Sequence, residues 1–218
     1  MEDKYFAFIG PIAAGKGTQA EIISEKYGMI HLSVGHILRD AVNSGTELGM
    51  KVKNIIDNGF LVPDVVANEV VKSTFGEIDL SKGFILDGYP RTINQVYALE
   101  DMLDSFRIKL SKVVLIDISE EETIRRISGR FSCSTCGQHY HDSLMPTKVR
   151  GVCDVCGGTK FKRRTDDKPE IVKNRLKLYE AEAAPIIGFY RERGLLVEID
   201  ATGLSVHETS QKIGEAIF

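Results

Sequence analysis

The stretch that most constrains this chain is Gly10–Thr18, which reads GPIAAGKGT. It follows an apolar run, Tyr5–Ile9, that is typical of a buried strand, and it precedes Gln19–Tyr27, whose pattern predicts a helix. In this arrangement the backbone N–H groups of the loop and of the first helical turn converge on one point, where the helix dipole favours an anion. The sequence therefore predicts a phosphate-binding loop, in which Lys16 contacts the outer phosphates and the Thr18 hydroxyl can ligate Mg²⁺.

The rest of the chain alternates apolar runs with helical patterns, which is typical of an α/β fold. Because the runs are almost continuously apolar, they predict a parallel sheet that is covered by helices on both faces. Ligands of such sheets gather at the carboxyl ends of the strands, where Gly10, Asp87 and Asp200 lie. The five predicted strands are Tyr5–Ile9, Met29–Leu32, Phe84–Asp87, Val113–Ile118 and Leu195–Ile199.

Start signals are present for several of the intervening helices. Ser33 is a predicted N-cap, Ser119 with Glu122 forms a predicted capping box, and Ser205 with Glu208 forms a second one. A long helix is predicted from Asp167 to about residue 193, with a bend at Pro185. Further helices are predicted over residues 47–57, 64–75 and 94–103.

Length and charge exclude some classes of protein. The 218 residues suffice for one α/β domain with insertions, and the net charge of −3 gives no whole-protein argument for binding nucleic acid or an acidic membrane. No apolar run approaches the roughly 18 residues of a membrane span, and the charges of residues 2–4 disfavour a signal peptide. We therefore expect a cytoplasmic protein without membrane association.

Four cysteines form two CxxC pairs, Cys133 with Cys136 and Cys153 with Cys156, separated by sixteen residues. This spacing predicts a tetrathiolate Zn²⁺ site, which would be structural because four thiolates leave no position for water or substrate. Two disulfides are the alternative, which a reducing cytosol disfavours. His139 and His141 lie nearby and, with four cysteines available, are expected to be ordinary surface residues.

The segment that carries the cysteines, residues 131–165, is basic, with six Lys or Arg and two Asp. A small zinc ribbon of this charge can bind nucleic acid, so a nucleic-acid-binding protein with a regulatory nucleotide site remains an alternative. Against this alternative, we expect the segment to lack exposed aromatic residues interleaved with the basic ones for base stacking. A flap that closes over a polyphosphate accounts for the same charge.

A second candidate phosphate site is Asp87–Thr92, which reads DGYPRT. Phosphoryl transfer depends on positioning and charge neutralisation, so arginines are expected to converge near the loop. Asp87 ends a strand and is placed to hold the magnesium shell opposite Lys16, and Arg91 is placed to meet a phosphate. Asp117 also ends a strand, but the three glutamates that follow it would repel phosphate, so it is the weaker candidate.

Together these segments resemble the nucleoside monophosphate kinases, in particular the bacterial adenylate kinases with a long, zinc-containing lid. The Gly-Lys-Gly-Thr ending of the loop is typical of that branch, and the resemblance covers essentially the whole chain. Further matching segments are Leu32–Arg39, Gly59–Asp64, Gly83–Thr92, Arg126–Arg130, and Arg164–Asp167 with Arg175.

The resemblance implies a P-loop NTPase-type core with a five-stranded parallel sheet and helices on both faces, formed by residues 1–32, 63–130 and 166–218. It implies a helical NMP-binding insert (33–62) and a zinc-bearing lid (131–165), both of which close over substrate. The implied reaction is Mg·ATP + AMP ⇌ 2 ADP. The implied cofactors are Mg²⁺ with ATP and a structural Zn²⁺, and the implied partners are ATP, AMP and ADP, without nucleic acid or membrane, for a chain that acts as a monomer.

Site residues carry over position by position. Arg126 would stack on the adenine of ATP, and Gln95 would bind the adenine of AMP through two hydrogen bonds. Arg126 and Arg130 are expected on one face of one helix, four residues apart. The implied ATP-binding residues are Gly10, Ala13, Ala14, Gly15, Lys16, Gly17, Thr18, Arg126 and Arg130; the AMP-binding residues are Ser33, Val34, Arg39, Val62, Gly88, Arg91, Gln95, Arg164 and Arg175; and the catalytic residues are Lys16, Asp87, Arg91, Arg130, Arg164 and Arg175.

Several positions depart from the family pattern. Ile12 and Ala13 stand where Pro and Gly are usual, and a positive φ at Ala13 would cost about 1 kcal/mol or more. Val34 replaces a frequent Thr, His36 a usual Asp, and Phe131 a frequent Arg. These departures, and an Asp-Asp-Lys-Pro-Glu run shared with a GTP-using relative, leave open another acceptor (GMP, CMP or UMP) or GTP as donor.

Overall fold

The fold is built on two sheets, and the computed structural model describes residues 4–218. The larger sheet is parallel throughout, and from one edge to the other its strands are Ile30–Ser33, Phe84–Asp87, Tyr5–Ile9, Lys112–Asp117 and Leu196–Asp200. The five strands predicted from the apolar runs are confirmed, with ends that differ by at most one residue. In chain order the strands are β1 (Tyr5–Ile9), β2 (Ile30–Ser33), β3 (Phe84–Asp87), β4 (Lys112–Asp117), β5 (Arg130–Cys133), β6 (His139–His141), β7 (Phe161–Lys162) and β8 (Leu196–Asp200).

Helices cover both faces of the parallel sheet, as the sequence predicts. Successive side chains of a strand point to opposite faces. Phe6 and Phe8 of β1 therefore pack with helices on one face, and Ala7 and Ile9 pack with helices on the other. The helices are α1 (Lys16–Tyr27), α2 (Val34–Asn43), α3 (Glu47–Asp57), α4 (Asp64–Glu77), α5 (Ile93–Ser105), α6 (Glu120–Ser128), α7 (Pro169–Glu192) and α8 (Val206–Ile217).

Helix starts follow the predicted capping signals in part. The capping box of Ser205 and Glu208 is present at α8. Ser119 caps α6 by accepting from the N–H of Glu122, but the Glu122 carboxylate binds Arg125 and Arg126 instead of closing the box. Ser33 occupies the N-cap position of α2 without a capping bond, because its hydroxyl donates to Asp87.

Two segments extend from the core. Helices α2 and α3 pack closely at Gly49, where a Cβ would lie 2.0 Å from the carbonyl oxygen of Ala41. Strands β5, β6 and β7 form a separate antiparallel sheet with the order β6-β5-β7. This small sheet has its own apolar cluster, formed by Cys133, Tyr140 and Cys153 with Phe131 and Phe161.

Among the helices within residues 4–218, none combines the length and the apolar character that a membrane-spanning helix requires.

Candidate active site

A cavity of about 1330 Å³ opens where strands of the parallel sheet end. Its lining includes Ile9, Ser33 and Asp87, which are the last residues of β1, β2 and β3. All residues that the sequence suggested for binding ATP or AMP line this one cavity, and so does Asp87. Asp117 is exposed and is not among the lining residues.

The predicted phosphate-binding loop forms part of this lining. Gly10 has a φ of 140°, and a Cβ there would lie 2.1 Å from the carbonyl oxygen of Ile116, so only glycine fits. Helix α1 begins at Lys16, three residues earlier than predicted. The backbone N–H groups of residues 16–18 therefore belong to a first helical turn, whose donors have no partner within the helix. This geometry suits an anion.

Ala13 adopts the left-handed backbone conformation for which we expected a steric cost. Its φ is 59°, a left-handed value that among the described non-glycine residues only Arg107 shares. A Cβ in this region costs about 1 kcal/mol. The loop therefore keeps the backbone path that suits glycine, and the chain carries the strain.

Lys16 turns its ammonium group back onto the loop. Its Nζ donates to the carbonyl oxygens of Gly10, at 2.8 Å, and Pro11, at 2.6 Å. Withdrawal from water lowers the pKa of Lys16 to about 7, an effect that the negative charge of Asp87 opposes and nearby arginines reinforce. Within residues 4–218, the hydrogen-bond partners of Lys16 are thus neutral carbonyl groups, and its charged form is disfavoured until an anion binds.

Asp87 lies beside the loop. Its carboxylate accepts a hydrogen bond from the Ser33 hydroxyl at 2.9 Å, and the His31 ring lies 3.6 Å away. A Cβ on Gly17 would lie 3.2 Å from the same carboxylate, which shows how closely the loop approaches it. Burial alone would raise the pKa of Asp87, but His31 and the charge of Lys16 hold it below its usual value. Asp87 is thus an ionised oxygen ligand at the cavity wall.

Five arginines from separate elements converge on the cavity: Arg39, Arg91, Arg130, Arg164 and Arg175. Burial and then the charge of Arg164 lower the pKa of Arg39 to about 9. Burial also lowers the pKa of Arg175 to about 9. The negative charge of Asp166 opposes this shift, and the positive charge of Arg164 adds to it. The cluster thus concentrates positive charge that an anionic ligand would relieve.

Two carboxylates hold part of this cluster in place. Asp166, 4% exposed, accepts from Arg164 through both of its oxygens and from Arg175 through Oδ2. Asp167 accepts two hydrogen bonds from Arg130. The sequence did not indicate this role for either aspartate. A local signal was available only for Asp166, which lies two residues after its partner Arg164, whereas Asp167 pairs with Arg130, 37 residues earlier in the chain.

Arg126 joins three parts of the cavity wall. Its guanidinium group donates to the carbonyl oxygens of Ala14, at 3.3 Å, and Ala201, at 2.9 Å, and its Nε donates to Glu122 at 2.7 Å. The expectation that Arg126 and Arg130 share one helix was wrong, because α6 ends at Ser128 and Arg130 begins β5. Stacking of Arg126 on an adenine stays a prediction.

The Gln95 side chain is held by two neighbours. Its Oε1 accepts from the backbone N–H of Arg91 at 2.7 Å, and its Nε2 donates to Asp64 at 2.8 Å. Arg91 in turn donates from Nε to the carbonyl oxygen of Gly88, whose φ is 74°. Sequence reasoning named Gln95 but missed Asp64, and it missed Glu122 as the partner of Arg126. The i, i+4 spacing of Glu122 and Arg126 could have suggested the contact between these two residues. No comparable signal pointed to the contact of Gln95 with Asp64, which lie 31 residues apart.

The four cysteines form one cluster in the lid. Their sulfur atoms all lie within 4.8 Å of one another, with 3.6 Å between Cys133 and Cys156 and 3.5 Å between Cys136 and Cys153. These separations exceed the roughly 2.05 Å of a disulfide bond, and all four thiols are free. Four sulfurs at about 2.3 Å from a central ion lie roughly 3.8 Å apart in a tetrahedron, so the cluster fits Zn²⁺.

The two nearby histidines differ from expectation. The cysteine cluster does not include them, in agreement with the sequence analysis. However, they are not ordinary surface residues. His141 is buried, and its Nδ1 accepts from the backbone N–H groups of Ser143 and Leu144. His139 is half-buried and lines the cavity, where burial and then the charge of Arg130 lower its pKa to about 4.

Comparisons with known proteins show which family the chain belongs to. Residues 8–195 match the family model described as adenylate kinase. The chain is 50% identical over 192 residues to an adenylate kinase of Streptococcus thermophilus, which covers 88% of each chain. It is 49% identical over 192 residues to an adenylate kinase of Enterococcus faecalis, covering 88% of this chain and 89% of the relative. It is 46% identical over 202 residues to one of Rhizobium rhizogenes, covering 93% and 94%.

Proposed function

Because the chain belongs to the adenylate kinase family, we propose that it transfers a phosphoryl group from Mg·ATP to AMP in the reversible reaction that gives two ADP. The observation that carries this proposal is the convergence of Lys16 and of arginines from separate elements on one cavity next to the loop Gly10–Thr18. Phosphoryl transfer requires little covalent chemistry from the protein. It requires two nucleotides held in line and the charge of the moving group neutralised.

On the donor side, the first turn of α1 and the loop would hold the phosphates of ATP through backbone N–H groups. Arg126 would face the adenine, between the loop and residues 201–204. The Thr18 hydroxyl and the Asp87 carboxylate are the hard oxygen donors that Mg²⁺ prefers, so these two residues fit the ion. When bound, Mg²⁺ would offset the charge of the donor phosphates.

On the acceptor side, Arg39 and Arg91 would hold the phosphate of AMP, and Gln95 would bind its base. Lys16, Arg130, Arg164 and Arg175 would surround the transferring group. Lys16 is suited to this role because its hydrogen-bond partners among the described residues are the neutral carbonyls of Gly10 and Pro11, which it can exchange for phosphate oxygens. Arg164 and Arg175 would retain Asp166 as a counter-charge that fixes their orientation.

The NMP insert and the lid would exclude water from the reaction. They approach each other across the cavity: a Cβ on Gly137 of the lid would lie 3.8 Å from the ring of His36 in α2. Exclusion of water strengthens the electrostatic interactions in the site and prevents hydrolysis of ATP. The domain limits 33–62 and 131–165 are part of this proposal.

The lid would bind Zn²⁺ through Cys133, Cys136, Cys153 and Cys156, with a structural role. Burial alone would raise the pKa of the Cys153 thiol, but hydrogen bonds from Tyr140 and from backbone N–H groups hold it below its usual value. These donors favour thiolate, the form that binds metal. Cys133 and Cys153 belong to the lid's own apolar core, whereas Cys136 and Cys156 are exposed, so the ion would hold the lid together and take no part in transfer.

The test is a coupled assay of ADP formation with a panel of donors (ATP, GTP) and acceptors (AMP, GMP, CMP, UMP). We expect the highest kcat/KM with ATP and AMP. Val34, a buried apolar residue where the family often has Thr, favours a second candidate in which another monophosphate is accepted. Preference for such an acceptor would replace the AMP assignment. No transfer with any pair, together with salt-sensitive binding of DNA or RNA, would refute the kinase proposal.

A further inference from the structure

Two hydrogen bonds hold the side-chain amide of Gln95, one from a group that can only donate and one to a group that can only accept. The backbone N–H of Arg91 can only donate, so its partner 2.7 Å away must be the amide oxygen. The carboxylate of Asp64 can only accept, so its partner 2.8 Å away must be the amide nitrogen. Both contacts require the same orientation of the amide.

Asp64 is itself fixed by the structure around it. Its second oxygen accepts from the Thr92 hydroxyl at 3.0 Å, and Thr92 caps α5 by accepting from the backbone N–H of Gln95. Asp64 is the first residue of α4, where a negative charge interacts favourably with the helix dipole. The carboxylate therefore ties the start of α4 to the start of α5 and to the Gln95 side chain.

Asp64 acts behind the cavity wall. Gln95 lines the cavity, whereas Asp64 is not among the lining residues. Gln95 is only 3% exposed, so water cannot readily replace a contact that it loses. The hydrogen-bonded route from Asp64 to a ligand in the cavity therefore runs through the side chain of Gln95.

The orientation of this amide matters for the base that it meets. After the two bonds described above, Oε1 keeps a second lone pair and Nε2 a second hydrogen. Adenine presents an amino-group donor beside a ring-nitrogen acceptor, which complements this pair. A 6-oxopurine presents an oxygen where adenine has the amino group, and this oxygen would face Oε1 as a second acceptor.

Resting on the proposed function, we propose that Asp64 is a positioning residue: it fixes the orientation of the Gln95 amide and so selects an acceptor with a 6-aminopurine over one with a 6-oxopurine. Turning the amide to suit an oxo group would place its oxygen against the Asp64 carboxylate. Removal of that carboxylate lowers the cost of turning, and 6-oxopurine acceptors gain relative to AMP.

The test compares kcat and KM of wild type, Asp64→Leu and Asp64→Asn with AMP and with IMP as acceptors. In Asp64→Leu we expect the ratio of kcat/KM for AMP to that for IMP to fall about tenfold or more, the discrimination of a lost bidentate base contact. The change should appear in KM for AMP, with kcat for AMP and KM for ATP within about twofold of wild type.

Asp64→Asn is the conservative variant. Its side-chain oxygen can still accept from Gln95, and its nitrogen can donate to the Thr92 hydroxyl, so most of the selectivity should return. Glu69→Leu, on an exposed position of the same helix, should match wild type. Asp64→Ala provides a second test if the leucine side chain prevents folding; it should shift the ratio in the same direction by a smaller factor, because water can enter the vacated space.

An unchanged AMP to IMP ratio in Asp64→Leu and Asp64→Ala would overturn the inference. A parallel loss of kcat and of affinity for ATP would overturn it too, because that pattern indicates general damage to the fold. Failure of the proposed function looks different: wild type itself would not phosphorylate AMP.

Discussion

Arg164 binds Asp166 through two parallel hydrogen bonds, from Nε to Oδ1 at 2.8 Å and from Nη2 to Oδ2 at 2.5 Å. The same Oδ2 accepts from Arg175. A bidentate pair fixes a guanidinium group in direction as well as in position. Two of the arginines that surround the cavity are therefore oriented by a carboxylate that belongs to the protein.

Asp166→Asn should destabilise the protein by about 3 kcal/mol at pH 7, because it leaves buried guanidinium groups without their counter-charge. In the wild type, burial alone would raise the pKa of Asp166, but Arg164 and Arg175 hold it far below its usual value. The stabilisation that ionised Asp166 gives to the folded wild type is thus fully present above the pKa of this carboxyl in the unfolded chain, and it is lost as the pH falls towards the pKa in the folded protein. The difference in stability between wild type and Asp166→Asn should therefore be about 1 kcal/mol smaller at pH 3 than at pH 7. Urea unfolding at the two pH values measures both quantities. The exposed Asp101→Asn is the control, and an equal deficit of Asp166→Asn at both values would contradict the assignment.

Lys16→Met should reduce kcat about 10²- to 10³-fold, as expected for the loss of a group that stabilises developing charge. The fold should be retained, and stability at pH 6 should not fall, because the structure disfavours a charged Lys16. ADP formation and thermal melting test the two parts. The exposed Lys26→Met is the matched control. A Lys16→Met variant with near wild-type turnover would remove this residue from the catalytic set.

Nucleotide binding at pH 8 should take up close to one proton per site. With a pKa of about 7, Lys16 is mostly neutral at pH 8 in the free protein, and phosphate oxygens near Nζ raise its pKa above the solution pH. Calorimetry of a non-hydrolysable ATP analogue in buffers of different ionisation enthalpy measures the proton count. Uptake should decline as the pH is lowered to 6, where the free lysine is already protonated. The same uptake in Lys16→Met would assign the proton to another group.

Ala13→Gly should stabilise the protein by about 0.5 kcal/mol, because relief of about 1 kcal/mol of strain at φ 59° outweighs the entropy that glycine adds to the unfolded chain. The midpoint of urea unfolding is the readout. Ala14→Gly is the matched control: Ala14 is buried and is not among the residues of positive φ, so this change should destabilise. A loss of stability in both variants would show that Ala13 is not strained.

Removal of metal from the purified protein should lower the Tm more than it lowers activity at low temperature. A loss of about 3 kcal/mol corresponds to a Tm reduction of roughly 6–12 °C for a chain of this size. Melting curves and ADP formation at 15 °C, before and after chelation and after addition of Zn²⁺, test this. An equal loss of both properties would argue for a metal that takes part in transfer.

The elements that the sequence predicted well are those with strong local signals. The apolar runs located all five strands of the parallel sheet, and the glycine-bearing loop was correctly placed between β1 and α1, although α1 begins three residues earlier than predicted. The cysteine spacing predicted a cluster that the structure contains. These features depend on residues close together in the chain, where spacing determines geometry.

The features that the sequence missed depend on contacts between distant residues. Asp64 and Gln95 are 31 residues apart, and Ser33 and Asp87 are 54 apart. Ser33 stands at the N-cap position of α2, yet the nearby carboxylate competes for its hydroxyl. The end of α6 before Arg130 was also missed, because Gly129 permits a strand to begin where the charge spacing suggested a longer helix.

Two members of the lid's sulfur cluster, Cys133 and Cys153, belong to the lid's own apolar core, whereas Arg130 and Arg164 stand next to the two ends of the segment 131–165. The residues that hold the lid together are thus a different set from the arginines at its ends, which line the cavity. Damage to the first set is expected to reduce resistance to heat, and damage to the second set is expected to reduce the rate of phosphoryl transfer.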